Sequence, residues 1–165
     1  MNVDAIETLF QDSIDGVDLC YAAKRINSTL ILLYSGIDTA SSLDKTLDGR
    51  NGRERYTGWC DSYLLTQAPF DFNSLELYAA RCGVVHVNSA QSDLSRNGKV
   101  RELLYAWGNS KVDTLKEIIS QIQSNKYVAV QLDDLIEAYG KSLDAFRKSL
   151  QENEQIGRAS CRERV

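Results

Sequence analysis

The sequence LILLYSGIDTA, residues 30–40, is apolar around most of the circumference of a helix. A helix that is apolar on all sides is usually buried on all sides, so this stretch predicts the central helix of a bundle. We expect that helix to span residues 17 to about 43, with an irregularity near Asn27. Residues 3 to about 15 predict an amphipathic helix before it, which Gly16 interrupts or ends because glycine disfavours helix interiors.

The middle of the chain predicts a polar connection followed by two helices. Residues 44–57 are the connection, and residues 58–65 predict a short helix in a segment that Pro69 closes. Residues 74–87 predict the next helix, because Asn73 is a good N-cap and Glu76 lies three residues further on, close to the capping-box pattern. A polar loop with a turn-prone Asn97-Gly98 is expected over residues 88–99.

The hydrophobic period changes in the last third of the chain. Residues 100–107 and 127–132 predict short strands, and residues 112–123 predict an amphipathic helix between them, as in a small β-α-β unit. Tyr105 and Trp107 are expected in the core rather than in contact with a ligand. Residues 133 to about 151 predict a closing helix. The fold class is therefore mostly α, a helical bundle with a minor two-stranded β element in the C-terminal third.

The composition indicates one ordinary globular domain without a broad basic surface. The chain has 165 residues, of which 43% are hydrophobic and 25% charged, and a formal net charge of −4. Residues 156–165, IGRASCRERV, resemble a translated sequencing adapter, so we expect the native domain to span residues 1–155. Without the three arginines and one glutamate of that tail the net charge is −6. An acidic chain disfavours non-specific binding to nucleic acids or anionic membranes.

The cysteines and apolar runs indicate a reduced, cytoplasmic protein. Residues 1–155 contain three separated cysteines, Cys20, Cys60 and Cys82, and no CxxC pair, so neither a disulfide framework nor a zinc site is expected. No signal peptide and no membrane span are predicted. We expect no metal and no cofactor.

Arg81 and His86 carry the chemistry available at the end of the helix over residues 74–87. Burying an arginine costs free energy unless it is paired, and Asp38, an acid on the most apolar helix, is the candidate partner of Arg81. The helix dipole favours protonated His86, which suits a general acid. In the structural interpretation Asp38 only neutralises Arg81, and His86 caps the helix end. Cys82 is either a nucleophile or a small buried hydrophobic residue.

The spacing Arg81-x4-His86 resembles the R-x4-6-H motif of the HEPN superfamily of small helical bundles, which includes many metal-independent ribonucleases. Blocks at residues 33–39, 77–83 and 104–108 also resemble a family of small bacterial proteins. The resemblance implies a homodimer whose paired motifs line one cleft, with His86 moving protons and Arg81 holding the RNA phosphate. It also implies a role in bacterial defence or in a toxin–antitoxin system.

Two features of the motif depart from the resemblance. Active members commonly have a polar residue such as asparagine after the arginine, where this chain has Cys82. In an ideal helix Arg81 and His86 lie about 140° apart, so a shared cleft is expected to require a looser helix near Gly83.

The arginines of the polar connection are further candidates for contact with RNA. Arg50, Arg53 and Arg55 could hold phosphates, with Tyr56 or Trp59 stacking on a base. The alternative is an ordinary solvated loop.

Three functions therefore stay open. One is an endoribonuclease of the HEPN type. The second is a non-catalytic HEPN-like module that binds a nucleotide, RNA or a partner protein. The third is a helical interaction protein in which Arg81 and His86 are structural.

Overall fold

The computed structural model describes the backbone of residues 3–87, 93–122 and 125–162, and the side chains of residues 5–85, 93–122 and 125–152. It is 71% helical with one small parallel sheet, which confirms the predicted fold class. The helices are α1 (Val3–Ala22), α2 (Ile26–Leu43), α3 (Gly52–Trp59), α4 (Ser74–Val87), α5 (Asp93–Arg96), α6 (Val112–Gln121) and α7 (Leu132–Arg162), and the strands are β1 (Glu102–Ala106) and β2 (Tyr127–Gln131).

Helix α2 is the central helix, as its apolar sequence predicts. It packs against α1, α3, α4 and α7. Leu33, Tyr34, Ile37 and Ala40 of α2 are completely buried in the core. Full burial of a side chain such as Leu33 or Ile37 stabilises the fold by about 1.5–3 kcal/mol. Asp38 follows Ile37 on α2, so this packing fixes the position of its backbone.

The first two helices divide at a different place from the one predicted. Helix α1 continues through Gly16 to Ala22, and Asn27 lies in the first turn of α2 rather than at an irregularity. The break is at Lys24, whose φ is +56°, and the amides of Lys24 and Arg25 donate to the carbonyls of Tyr21 and Cys20. These bonds are those of a Schellman C-cap. Gly16 was expected to stop the helix, but burial of the neighbouring Val17 outweighs the cost of about 1 kcal/mol of a helical glycine.

Helix α3 lies largely within residues predicted as a polar connection, so that prediction was wrong. It begins at Gly52 because Asn51 and Glu54 form a capping box: Glu54 N donates to Asn51 Oδ1 at 3.0 Å, and Asn51 N donates to Glu54 Oε2 at 3.3 Å. The helix continues directly into a π-helical turn over Cys60–Leu64, within the short helix predicted at residues 58–65.

The C-terminal third contains the predicted β-α-β unit. Strands β1 and β2 pair in parallel, with Leu104 opposite Ala129, and α6 connects them. One face of the sheet joins the core through Leu103, Val128 and Val130. Trp107 was expected in the core but is 39% exposed, because it follows the end of β1. The predicted helix end at residue 123 lies outside the described residues.

The N-terminus of α4 is fixed at the point the sequence predicts. Asn73 N donates to Glu76 Oε2 at 3.0 Å, and Glu76 N donates to Asn73 Oδ1 at 2.9 Å, which completes the capping box. Arg101, just before β1, donates to both oxygens of Glu76 at 2.6 and 2.9 Å. This bidentate pair ties the start of α4 to the sheet and so sets the direction in which the rest of α4 points.

Helices α5 and α7 complete the described fold. Within the loop predicted over residues 88–99, residues 88–92 lie outside the described part, residues 93–96 form the short helix α5, and Gly98 has a φ of +66°. Helix α7 begins at Leu132 and extends beyond the predicted end near residue 151, because no proline interrupts it. No helix of the described residues is both long enough and apolar enough to cross a membrane.

Candidate functional site

Three neighbouring side chains of α4 are partly exposed on one face of the helix. Leu77, Ala79 and Ala80 are buried, whereas Tyr78, Arg81 and Cys82 are each partly exposed. Residues three and four apart lie on the same face of a helix, so these three side chains are neighbours. We call Tyr78, Arg81 and Cys82 the Arg81 face.

Arg81 forms an ion pair with Asp38 of α2. Its Nε and Nη2 lie 2.6 and 2.5 Å from the same carboxylate oxygen, Oδ2. The side chains are only 18% and 32% exposed, respectively. Burial lowers the pKa of the Arg81 guanidinium, but the hydrogen bond and the charge of Asp38 more than offset this and raise that pKa. The predicted pairing of Arg81 with Asp38 is confirmed, and it holds the guanidinium charged and oriented.

Tyr78 contacts both Arg81 and the core. The Arg81 Cζ is 6.0 Å from the centroid of the Tyr78 ring, at the limit of a cation–π contact. The Tyr78 ring also makes an edge-to-face contact with the buried ring of Tyr56, with centroids 5.5 Å apart. Burial and the neighbouring Cys82 raise the pKa of the Tyr78 hydroxyl, so it stays protonated at neutral pH. Sequence reasoning missed Tyr78, although its place three residues before Arg81 puts both on one helical face.

The core beneath the Arg81 face contains several polar groups without access to water. The hydroxyls of Tyr34 and Tyr105 hydrogen-bond to each other. The Tyr56 hydroxyl is buried and has no hydrogen-bond partner among the described residues. Burial, followed by the charges of Asp61 and Asp38, raises the pKa of the Cys60 thiol well above its usual value. The charge of Asp38 acts on two of these groups, the Tyr56 hydroxyl and the Cys60 thiol, and helps to raise the pKa of each.

An open groove of about 470 Å³ borders the Arg81 face. Tyr78 and Cys82 line one wall, and the start of α3 lines the facing wall with Asn51, Gly52 and Arg53. Asp93 and Leu94 of α5 complete the lining. We call this space the α3–α4 groove.

Only Arg53 of the three predicted RNA-contacting arginines lines the α3–α4 groove. Arg50 instead packs beside Gly58. Its Nη1 is so close that a Cβ atom added to Gly58 would lie 3.3 Å from it. Tyr56 and Trp59, which the sequence suggested as stacking platforms, are completely buried, so neither can stack on a base from solvent.

Cys82 lies at the edge of the groove with Arg81 beside it. The Arg81 Nη1 is 3.9 Å from Cys82 Sγ, at the outer limit of a hydrogen bond to sulfur. Cys82 is partly exposed, so the interpretation of Cys82 as a buried small hydrophobic residue was wrong. Its described neighbours, Arg81 and Tyr78, do not act as a base toward the thiol at neutral pH.

His86 lies in the last turn of α4, but its side chain is outside the described residues. The backbone at Gly83 stays helical, and α4 runs unbroken to Val87, so the expected loosening near Gly83 does not occur. With about 100° of rotation and 1.5 Å of rise per residue, His86 leaves α4 about 140° around from Arg81 and roughly 7.5 Å further along.

Among the described residues no group of three or more histidine, cysteine, aspartate or glutamate side chains could hold a metal ion. Comparison of the chain with protein-family models, with curated proteins and with solved structures found no match.

Proposed function

We propose that the protein is a metal-independent endoribonuclease of the HEPN type in which Arg81 and His86 act on the RNA backbone. The observation that carries this proposal is the Arg81–Asp38 ion pair, which lies beside Tyr78 and Cys82, two residues that line an open groove. The ion pair holds a permanently charged guanidinium in one orientation, and the Arg81 side chain remains 18% exposed.

The chemistry requires a proton acceptor, a proton donor and stabilisation of charge on the phosphate. The ribose 2′-oxygen attacks phosphorus and gives up its proton, and the departing 5′-oxygen takes a proton, which leaves a 2′,3′-cyclic phosphate and a 5′-hydroxyl. His86 exchanges these protons, and Arg81 stabilises the additional negative charge of the transition state. Asp38 is a positioning residue, because it touches Arg81 and keeps the guanidinium in place.

The continuous helix α4 argues for a homodimeric cleft within this proposal. Since Arg81 and His86 leave one helix about 140° apart, a single copy does not readily direct both side chains at one phosphate. Two copies related by a two-fold axis bring Arg81 of one copy near His86 of the other. A pair of His86 side chains would also provide both an acid and a base. We place such an enzyme in a bacterial defence or toxin–antitoxin system, as the resemblance implies.

The same ion pair also favours a second, non-catalytic function. The charge of Arg81 is already balanced by Asp38, as expected for an arginine that only stabilises the fold or a binding surface. The second candidate is therefore a non-catalytic module that binds a nucleotide, RNA or a partner protein.

Cleavage of end-labelled RNA in the presence of EDTA separates the two candidates. We expect wild type to cut the RNA and His86→Ala and Arg81→Ala to spare it. Arg147→Ala is the matched control, because Arg147 is also a partly exposed, ion-paired arginine but belongs to α7. Cutting by wild type and His86→Ala at the same rate, or by neither, would remove the nuclease proposal.

A further inference from the structure

We infer that the α3–α4 groove binds one nucleotide of a single RNA strand next to the cleaved bond, with Arg53 on its phosphate and Tyr78 against its base. This inference rests on the proposed nuclease function, since that function places the reacting phosphate at Arg81. It adds a subsite and two contact residues.

The position of the groove is the first argument. Two residues that line it, Tyr78 and Cys82, are the same residues that contact the Arg81 guanidinium, at 6.0 and 3.9 Å. A phosphate held by Arg81 would therefore lie beside two residues of the groove lining. The next nucleotide of the strand either enters the groove or turns away into solvent. Only a nucleotide that enters the groove buries part of its surface against the protein.

The charge on the facing wall is the second argument. Arg53 lies in the first turn of α3 and is exposed, and within the described residues its side chain has no ion pair or hydrogen bond. By contrast, Arg81, Arg101 and Arg147 are all paired with carboxylates. An arginine without a carboxylate partner at a groove wall is available for a phosphate.

The ring of Tyr78 is the third argument. Its edge-on contact with buried Tyr56 fixes the ring, so stacking a base on it orders little additional side chain. Single-stranded nucleic acids are typically bound by such a combination of aromatic platform and cationic track. The groove volume of about 470 Å³ suits one nucleotide and falls within the range of ligand pockets, about 300–1,000 Å³.

Asp93 of α5 also lies on the groove lining, where it is paired with Arg96 at 3.0 Å and its side chain is 90% exposed. An exposed, paired carboxylate is screened by solvent, so it does not by itself select between a nucleotide of an RNA strand and a free nucleotide.

Binding of a fluorescein-labelled 2′-fluoro RNA decamer tests the inference without requiring cleavage, because the strand lacks the attacking hydroxyl. We expect Arg53→Gln to weaken binding roughly tenfold and to reduce the slope of log Kd against log salt concentration by about one. Tyr78→Leu should weaken binding by about fivefold or more through lost stacking. The matched control is Arg55→Gln, which removes the same charge from α3 at a position that does not line the groove. Thermal unfolding of each variant establishes that it is folded.

Equal weakening by Arg53→Gln and Arg55→Gln would overturn the inference, because it would indicate a diffuse electrostatic surface. The inference would also be overturned if Arg53→Gln and Arg55→Gln both left the Kd unchanged. It would be overturned as well if the wild-type protein did not bind the decamer. If AMP displaced the decamer at AMP concentrations as low as the decamer's own Kd, the groove would be assigned to a free nucleotide instead. A 4-thiouridine decamer should crosslink to Tyr78 or Cys82.

The two proposals fail separately. If the protein bound RNA in an Arg53-dependent way but did not cleave it, only the nuclease proposal would be overturned. If cleavage depended on His86 but Arg53→Gln bound RNA as tightly as wild type, only the subsite would be overturned.

Discussion

The hydroxyl of Tyr139 on α7 occupies the space that a side chain at Gly36 of α2 would need. A Cβ at position 36 would overlap the Tyr139 hydroxyl and lie 2.7 Å from Ser13 Oγ of α1, closer than real Cβ contacts. The same two hydroxyls hydrogen-bond to each other at 2.6 Å. Three helices therefore meet at Gly36, and we expect Gly36→Ala to lower the free energy of unfolding by about 1–3 kcal/mol, as in other overpacked cores.

Urea unfolding measures this effect, and two variants isolate its cause. Gly140→Ala is the control, since a Cβ at helical Gly140 meets nothing within 4 Å and should stabilise α7 by up to about 1 kcal/mol. Tyr139→Phe removes the overlapping oxygen, so the double variant Gly36→Ala/Tyr139→Phe should be more stable than additivity predicts. Strict additivity of the two changes would show that the three helices do not meet in this way.

The Glu76–Arg101 pair should make stability depend on pH in the acid range. Burial raises the pKa of the Glu76 carboxyl, but hydrogen bonds from Arg101 and from the Asn73 backbone outweigh it and hold that pKa below its ordinary 4.5. A carboxyl whose pKa is lowered by folding contributes stability above its unfolded pKa and loses it as the pH falls through the folded value. At neutral pH we expect Glu76→Gln to cost about 1–2 kcal/mol, reduced because Arg101 is 39% exposed to solvent.

Unfolding of wild type and Glu76→Gln between about pH 7 and pH 3 tests the sign. The difference in unfolding free energy should be constant at neutral pH and should shrink below about pH 4.5. Glu137→Gln, which removes an exposed carboxylate paired with Lys141, should change stability by less than about 0.5 kcal/mol at every pH. A wild-type–variant difference that grows on acidification would contradict the lowered pKa.

Much of the fold could be predicted from hydrophobic period and helix-start chemistry. The apolar stretch over residues 30–40 identifies α2, and the change of period identifies the β-α-β unit. The helix ends were harder, because tertiary packing keeps Gly16 helical while Lys24 adopts the left-handed conformation that usually requires glycine. Asn51 and Glu54 carried the same capping signal as Asn73 and Glu76, but polar neighbours concealed it.

The candidate site was predicted only in part. The cost of burying an unpaired arginine was enough to predict the partner of Arg81, because α2 offers Asp38 as a carboxylate on an otherwise apolar helix. The groove could not be predicted, since it depends on how α3 and α5 approach α4. Trp59 shows the same limit, because its aromatic character suggested base stacking whereas packing against Tyr63 and Phe146 buries it.

The ion pair between Asp38 and Arg81 allows the positioning role to be separated from simple neutralisation. Asp38→Asn keeps the shape of the side chain and removes its charge. If Asp38 orients Arg81, the variant should lose kcat about 10-fold or more, since misplacing a charge-stabilising group raises the barrier. KM should stay the same or fall, because Arg81 would attract phosphate without competition from a carboxylate. If Asp38 only neutralises Arg81, kcat should be unchanged while KM falls.

Initial rates of RNA cleavage at several RNA concentrations, with RNA in excess over enzyme, measure both kcat and KM. Since the pair is partly exposed, the stability cost of Asp38→Asn should be about 1–2 kcal/mol, which leaves the protein folded at room temperature. Arg81→Lys tests orientation from the other side: a lysine keeps the charge but cannot form the same two-nitrogen contact, so it should resemble Asp38→Asn in kcat. Full activity of Arg81→Lys would mean that charge alone matters, and Asp38 would then have no positioning role.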